Sequence, residues 1–197
     1  MIETSFTRDK IGVTAVFLDR DGVINQNRPD HVKDWSEFQF LPGAPEAVTR
    51  LSQAGLRVFV FSNQAIINRG MVPRATVDSI NQLMVREIQE RGGHVEDVAY
   101  CPHRPDERCF CRKPRPGLLL ALAERHGLNL RHAAVIGDAL ADVDAGLAVG
   151  CRAILVLTGR GREQLLLARA TQKSGFVVAP DLEAATELLL SRAPVLM

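Results

Sequence analysis

Short runs of branched and apolar residues alternate along the chain with longer segments whose apolar positions recur at helical period. The runs have the length and composition of strands buried on both faces, and they cover residues 13–19, 56–62, 95–101, 133–138, 152–158 and 176–180. Helices are predicted over residues 44–54, 73–91, 116–126, 140–149, 164–170 and 182–192. This alternation predicts right-handed crossovers and an α/β fold with a doubly wound parallel sheet.

Polar side chains follow several of the predicted strands at the point where each strand ends. These positions are residues 19–22 (Asp-Arg-Asp-Gly), 62–64 (Ser-Asn-Gln), a cysteine-rich loop that starts at residue 101, and residues 137–138 (Gly-Asp). Ligands of such sheets bind beyond the carboxyl ends of the strands. The candidate chemistry is therefore expected to collect at one edge of the sheet.

Asp19 and Asp21 lie two positions apart at the end of the first predicted strand, so their side chains project to the same side. Gly22 allows the chain to turn away immediately afterwards. Carboxylates this close raise each other's pKa unless a cation neutralises them, which predicts either a bound divalent ion or one protonated partner. The alternative interpretation is a polar strand end that leads into an ordinary turn.

Asp138 and Asp142 form a second acidic pair after another strand. Oxygen ligands from separate loops are what Mg²⁺ requires, together with waters and substrate phosphate oxygens. Alternatively, Asp138 caps the following helix and Asp142 complements its dipole. Ser62 offers a hydroxyl for phosphoryl oxygens and Lys113 offers a cation in a constrained loop, although a turn and a solvated basic loop explain them equally.

Cys101, His103, Cys109 and Cys111 supply four soft or borderline ligands, enough for a closed tetrahedral zinc site. In a reducing compartment, clustered cysteines indicate metal binding more than disulfides. A site with four protein ligands leaves no position open for water, so it predicts a structural Zn²⁺ that stiffens the loop and holds Lys113 in place. The alternative is a set of free thiols in a flexible loop.

Composition narrows the functional classes. The chain has 197 residues, 46% hydrophobic and 24% charged, which is typical of one globular domain over residues 1–197 with the zinc loop at residues 101–111. A formal charge of +1 gives no bulk attraction to nucleic acid or to an acidic membrane surface. No apolar stretch approaches a membrane span and the first residues are too polar for a secretory signal, so we expect a cytoplasmic protein without nucleic-acid or membrane partners.

In chain order, Asp-x-Asp-Gly, a strand ending in serine, a lysine and Gly-Asp-x-x-x-Asp resemble the four motifs of the haloacid-dehalogenase-like (HAD-like) phosphatases, from the first predicted strand to the fifth. The resemblance implies a Rossmann-like fold in which Asp19 attacks phosphorus and Asp21 is the general acid and then the base. It also implies that Asp19, the backbone carbonyl of Asp21 and Asp138 hold Mg²⁺, while Ser62 and Lys113 hold the phosphoryl group. Acidic neighbours are expected to raise the pKa of Asp21 toward the protonated form that this role needs.

The zinc loop with its following Arg-Lys-Pro-Arg-Pro-Gly, and also residues 32–43, resemble one branch of that superfamily, the D-glycero-D-manno-heptose-1,7-bisphosphate 7-phosphatases and related histidinol-phosphate phosphatases. The resemblance implies a monomeric phosphoric monoester hydrolase, without a large cap domain, that acts on a small phosphosugar. Arg69 matches a substrate-loop arginine of that branch, and Arg112 matches the residue that precedes the motif lysine. Asn63, next to Ser62, is a further candidate for substrate binding. Because forked guanidinium groups hold phosphate bidentately, we expect Arg69 and Arg112 to bind the second phosphate of a bisphosphate.

Two positions depart from the pattern of the heptose branch. Ile66 stands where that branch usually has glycine, and Ala139 stands where it often has lysine or serine. The shape of the pocket and the substrate can therefore differ from those of the branch. Histidinol phosphate is the nearest alternative substrate, and a non-enzymatic zinc-stabilised binding module is the alternative from another class. Four histidines are scattered outside the motifs, and their spacing places none of them in the site: His31, His94, His126 and His132.

Overall fold

A six-stranded parallel sheet forms the centre of the computed structural model, which describes residues 12–191. The strand order is β3-β2-β1-β4-β5-β6. The strands are β1 Ala15–Leu18, β2 Arg57–Asn63, β3 Asp97–Cys101, β4 Ala133–Gly137, β5 Arg152–Val156 and β6 Val177–Ala179. All pairings are parallel, so the prediction of a doubly wound parallel sheet is confirmed.

Each predicted helix is present with small shifts of its ends. The helices are α1 Ala44–Gln53, α2 Arg74–Glu90, α3 Gly117–His126, α4 Leu140–Leu147, α5 Gly161–Ala170 and α6 Leu182–Leu190. Helix α5 begins three residues before the predicted start, and the predicted last residue of α6, Arg192, lies outside the described residues. Helix α3 ends at Gly127, whose left-handed backbone caps the helix as the glycine predicted.

Helices cover both faces of the sheet because the strands are apolar on both sides. On one face, Val16 and Leu18 of β1 pack with buried residues of α1, α2 and α6. On the other face, Phe17 of β1 stacks on Phe59 of β2 with ring centroids 5.2 Å apart, above buried leucines of α3. Every residue of β1 is buried, as expected for a strand at the centre of a two-sided sheet.

The strand order places the end of β1 between the ends of β2 and β4. The chain runs outward from β1 to β2 and β3 and then returns to β4 on the other side of β1. Leu18 is aligned with Val60 of β2 and with Ile136 of β4, so residue 19 emerges between residues 61–62 and residue 137. This reversal of direction is the place where doubly wound sheets bind their ligands.

No large cap domain is inserted between the described elements at this edge. The longest connection, between β1 and α1, packs Trp35, Phe38 and Phe40 against one another, with ring centroids 4.8 Å apart for the first two. These rings join the core beside α1 and α2. Within residues 12–191, no helix combines the length and apolarity needed to cross a bilayer.

Candidate active site

Asp19 occupies the centre of the sheet edge. Its backbone N–H donates to the carbonyl of Ile136 at 3.0 Å, which continues the strand by one residue, and only 4% of the residue is exposed. Its Oδ1 accepts from the backbone N–H of Arg20 at 2.7 Å and lies 2.8 Å from Nζ of Lys113. Burial raises the pKa of Asp19 to about 6, against the lowering effect of Lys113 and with a further increase from Asp142.

Lys113 brings a buried ammonium group to the same place. Its Nζ lies 2.8 Å from Asp19, 2.6 Å from Asp142 and 3.0 Å from the backbone carbonyl of Phe61. Asn63 fixes the backbone of Lys113, because the asparagine Oδ1 accepts the lysine N–H at 3.1 Å and its Nδ2 donates to the lysine carbonyl at 3.2 Å. The side-chain amide that we expected to contact substrate therefore positions the lysine.

Three carboxylates, Asp19, Asp138 and Asp142, offer oxygens that lie within 4.8 Å of one another. Asp138 and Asp142 are also buried, and burial raises the pKa of both, with neighbouring carboxylates adding to the increase. Asp142 Oδ2 accepts the N–H of Ala139 at 3.0 Å, so it secures the start of α4 in the way that the structural alternative describes. Asp138 does not cap that helix with its side chain.

The charges around these carboxylates fit a divalent cation. Lys113 contacts Asp19 and Asp142, and Arg160 contacts Asp138 at 3.1 Å. Three carboxylates thus meet two single positive charges. Burial is the main reason that their pKa values are raised, and repulsion between the carboxylates adds to it. Because hard oxygen ligands from separate loops are the donor set that Mg²⁺ prefers, the residues present fit magnesium.

Asp21 is arranged differently from the expectation. Both of its oxygens lie 3.0 Å from the buried guanidinium of Arg20, and its carboxylate also accepts from Asn25 at 3.0 Å and from Gln64 at 2.7 Å. Burial favours the protonated form, but Arg20 and these hydrogen bonds outweigh it and hold the pKa of Asp21 below its usual value. The prediction that acidic neighbours raise this pKa is wrong, since the arginine between the two aspartates folds back onto Asp21.

A cavity of about 220 Å³ opens above these groups. Its lining brings together seven of the predicted site residues: Asp19, Asp21, Ser62, Asn63, Arg69, Arg112 and Lys113. Ser62 is 3% exposed and its Oγ accepts from the Gln64 amide at 2.8 Å. Asp138 is fully buried next to the cavity, and Asp142 is part of the lining.

Comparison with known proteins assigns the chain to a family. A HAD-hydrolase-like family model matches residues 110–185. A Bordetella bronchiseptica protein named D-glycero-beta-D-manno-heptose-1,7-bisphosphate 7-phosphatase is 40% identical over 178 residues, which cover 90% of this chain and 98% of that protein. The chain belongs to the heptose-1,7-bisphosphate phosphatase family of HAD-like hydrolases. The resemblance drawn from its motifs is thereby confirmed.

Other members of the heptose-1,7-bisphosphate phosphatase family also match this chain over most of its length. A Pseudomonas putida protein of the same name is 43% identical over 150 residues, or 76% of this chain and 86% of that protein. A crystal structure of the B. bronchiseptica D,D-heptose 1,7-bisphosphate phosphatase with magnesium and phosphate superimposes with a TM-score of 0.86 at 39% identity, covering 92% of this chain and all of that one. The Burkholderia thailandensis counterpart gives a TM-score of 0.69 at 36% identity, with 91% and 99% covered.

Besides Asp142 and three alanines, three polar residues of the cavity lining were not among the predicted site residues of this family member. His31 lines the cavity and its Nε2 lies 3.0 Å from the Arg69 guanidinium, so its placement outside the site is wrong. Burial and then Arg69 lower the pKa of His31. Asn27 and Arg160 also line the cavity. Arg160 follows β5, so extending the strand-end rule to that strand would have found it, whereas no sequence signal marks His31.

The two departures from the family pattern affect the cavity differently. Ile66 is fully buried and is not part of the lining, and its backbone does not adopt the left-handed conformation that favours glycine. The loop therefore accepts this side chain without a strained turn. Ala139 does line the cavity, so the loss of a polar side chain there changes the surface that faces a ligand.

The cysteine-rich loop begins at the last residue of β3, next to the site. Sγ of Cys101 lies 3.5 Å from Cys109 and 3.2 Å from Cys111, and Nδ1 of His103 lies 3.2 Å from Cys111. The four ligand atoms thus converge on one point, which fits a tetrahedral metal ion with thiolate and imidazole ligands. Arg112 donates to the carbonyl of His103 at 3.0 Å, which ties this cluster to the cavity wall.

We expect the stability of the magnesium-free protein to fall between about pH 4 and pH 6. The fold raises the pKa of Asp19 from 3.8 to about 6, so the folded protein binds a proton that the unfolded chain releases, and this stability is lost as pH rises. The effect amounts to about 3 kcal/mol. Denaturant unfolding of the wild type and Asp19→Asn at several pH values measures it, because the variant lacks this ionisation; parallel curves would contradict the expectation.

Proposed function

We propose that the protein is a Mg²⁺-dependent phosphomonoesterase that removes the 7-phosphate of D-glycero-D-manno-heptose 1,7-bisphosphate, with the beta anomer named in its relatives as the expected form. The observation that carries the proposal is the buried Asp19 carboxylate, held 2.8 Å from Lys113 at the floor of the cavity. Identity of 40% over nearly the whole B. bronchiseptica phosphatase supports the choice of substrate.

In the first step, a carboxylate oxygen of Asp19 attacks phosphorus and the bond between phosphorus and the sugar oxygen breaks. The Lys113 ammonium and the Ser62 hydroxyl, both on the cavity wall, hold the phosphoryl oxygens in line with Asp19. Lys113 also keeps Asp19 oriented, because the ammonium contacts it directly. The product is an aspartyl-phosphate, which divides one difficult hydrolysis into two easier steps.

Asp21 moves the protons in both steps. It gives a proton to the departing sugar oxygen, then takes one from the water that attacks the aspartyl-phosphate, and the bond between phosphorus and Asp19 breaks to release phosphate. Its pKa is low in the free protein, so the ionised form suits the second step. For the first step, the negative charge of the entering phosphate raises this pKa and favours proton uptake.

Asp19, Asp138 and the backbone carbonyl of Asp21 are the groups that we propose to hold magnesium. Both oxygens of Asp142 are engaged, by the buried Lys113 and by the Ala139 N–H. The oxygens of Asp138 contact Arg160, whose side chain is half exposed and can move away, which favours Asp19 and Asp138 as the ligands. Bound magnesium supplies positive charge that offsets the repulsion between a carboxylate and a phosphate dianion.

We propose zinc as the ion of the Cys101, His103, Cys109 and Cys111 cluster, in a structural role. The contacts of 3.2–3.5 Å among these ligand atoms support a closed site. Lys113 follows the last ligand by two residues, so an ordered metal loop limits where its side chain can lie. The free cysteines among the described residues also suit the reducing cytoplasm, where we expect the enzyme to act as a monomer on a small phosphosugar.

Phosphate release in the presence of magnesium tests the reaction. We expect the heptose 1,7-bisphosphate to give the highest kcat/KM in a panel with histidinol phosphate and fructose 1,6-bisphosphate. Asp19→Asn should lower release by about 10³-fold or more, because the amide cannot attack phosphorus. Preference for histidinol phosphate would keep the mechanism and change the substrate, whereas near wild-type release by Asp19→Asn would contradict the mechanism.

Arg112→Ala should lower the preference for bisphosphate over monophosphate. Arg112 lines the cavity with Arg69, and loss of one guanidinium that contacts a second phosphate costs about 1.5–3 kcal/mol, or roughly 10- to 150-fold in kcat/KM. The comparison is kcat/KM for heptose 1,7-bisphosphate against heptose 7-phosphate. Arg104→Ala is the matched control, because that exposed arginine of the same loop pairs with Asp106 and does not line the cavity. An unchanged ratio in Arg112→Ala would remove Arg112 from substrate binding.

Cys109→Ser should lower both zinc content and activity, because the loop that presents Lys113 loses one of four metal ligands. Elemental analysis of protein purified without chelator should find about one zinc per wild-type chain. Cys151→Ala is the control, since that buried thiol lies outside the cluster. Wild-type protein without zinc would contradict the assignment of the metal.

A further inference from the structure

Arg160 makes three contacts with one buried carboxylate. Its backbone N–H donates to Oδ2 of Asp138 at 2.8 Å, its Nε lies 3.4 Å from the same oxygen, and its terminal nitrogen donates to Oδ1 at 3.1 Å. Asp138 is fully buried, whereas the Arg160 side chain is 51% exposed. The guanidinium therefore reaches the carboxylate from the solvent side and can leave it without disturbing the core.

The backbone around Asp138 is shaped to let this contact form. Gly159 has a left-handed φ of 53°, and a Cβ there would lie 2.3 Å from Oδ2 of Asp138. A Cβ at Gly22 would lie 2.2 Å from the same oxygen. Two glycines thus enclose Oδ2, and the turn through Gly159 aims both the N–H and the side chain of Arg160 at the carboxylate.

The distribution of charge gives Arg160 a role distinct from that of Lys113. The lysine contacts Asp19 and Asp142, and within residues 12–191 the ion pair of Asp138 is with Arg160. Asp138 also belongs to the group of carboxylate oxygens that lie within 4.8 Å of one another and fit a divalent cation. Arg160 therefore places one positive charge on Asp138, where a bound divalent cation would place two.

We propose that Arg160 is a positioning residue that competes with magnesium for Asp138: it holds this carboxylate when the metal is absent and lowers magnesium affinity. The inference rests on the proposed function, in which Asp138 is a magnesium ligand. The positive charge of Arg160 beside the site repels Mg²⁺, and at least one oxygen of Asp138 must exchange Arg160 for the metal when it binds. Release of the guanidinium leaves it on the wall of the cavity that the substrate enters.

The test measures magnesium affinity by calorimetric titration into protein dialysed free of magnesium, at fixed ionic strength and at pH 8. We expect Arg160→Gln to bind Mg²⁺ about tenfold more tightly than the wild type, because a unit positive charge near a divalent ion has been removed. Arg160→Lys keeps the charge and should stay within about twofold of the wild type. Arg162→Gln, at an exposed neighbouring position on α5, should match the wild type.

The unfolding temperature, measured with and without magnesium, distinguishes this role from a purely structural one. Without magnesium, Arg160→Gln should unfold about 3 °C below the wild type or more, and saturating magnesium should remove most of the difference. Equal loss with and without metal, or magnesium affinity that is unchanged or weaker in Arg160→Gln, would overturn the inference. A wild type that binds no magnesium would instead overturn the proposed function on which the inference depends.

Discussion

The Lys113 ammonium lies between two carboxylates where little water reaches, and this contact constrains the rest of the site. Burying one of these charges alone would cost several kcal/mol, so the lysine and both aspartates must arrive together. Asp19 comes from the end of β1 and Asp142 from the first turn of α4, while Asn63 fixes the lysine backbone from the end of β2. The contact thus joins three neighbouring strand ends through one cation.

The sheet order makes this convergence possible. The chain leaves β1 toward one side and returns on the other, so the two strands that flank β1 come from distant parts of the sequence. The cysteine-rich loop extends from the edge strand β3 and meets the site from outside, and Arg112 donates a hydrogen bond to the His103 carbonyl. The tightly packed core therefore carries the acidic residues, and the cysteine-rich loop supplies Arg112 and Lys113. This division lets the basic loop be ordered without a hydrophobic core of its own.

Much of this arrangement could be predicted from the sequence because it depends on local patterns. Apolar runs buried on both faces identify the strands, and the residues that follow them identify Asp19, Ser62 and Asp138 as neighbours. Side-chain pairing could not be predicted in the same way. The side chain of Arg20 folds onto Asp21 and reverses the expected pKa shift. Asn81 of α2 helps to hold it there, because the asparagine Oδ1 accepts a hydrogen bond from the same guanidinium at 3.1 Å.

The location of His31 illustrates the same limit. It lies in the longest connection and reaches Arg69 only because that connection folds back over the end of the sheet. No periodicity or motif in the sequence predicts that this connection folds back over the sheet. Ile66 shows the opposite case, in which a local departure from the family pattern has little consequence because the side chain turns into the core.

The lack of a large cap domain among the described elements leaves the exclusion of water from the cavity to the bound ligand. Because no inserted domain within residues 12–191 folds over the cavity, only a ligand that fills the space between the two arginines, Arg69 and Arg112, and the buried carboxylates can exclude bulk water. A substrate long enough to contact both the arginines and the carboxylates would itself displace this water and so strengthen the electrostatic contacts beneath it. Selectivity for a sugar with two phosphate groups would then be expressed in turnover as well as in binding.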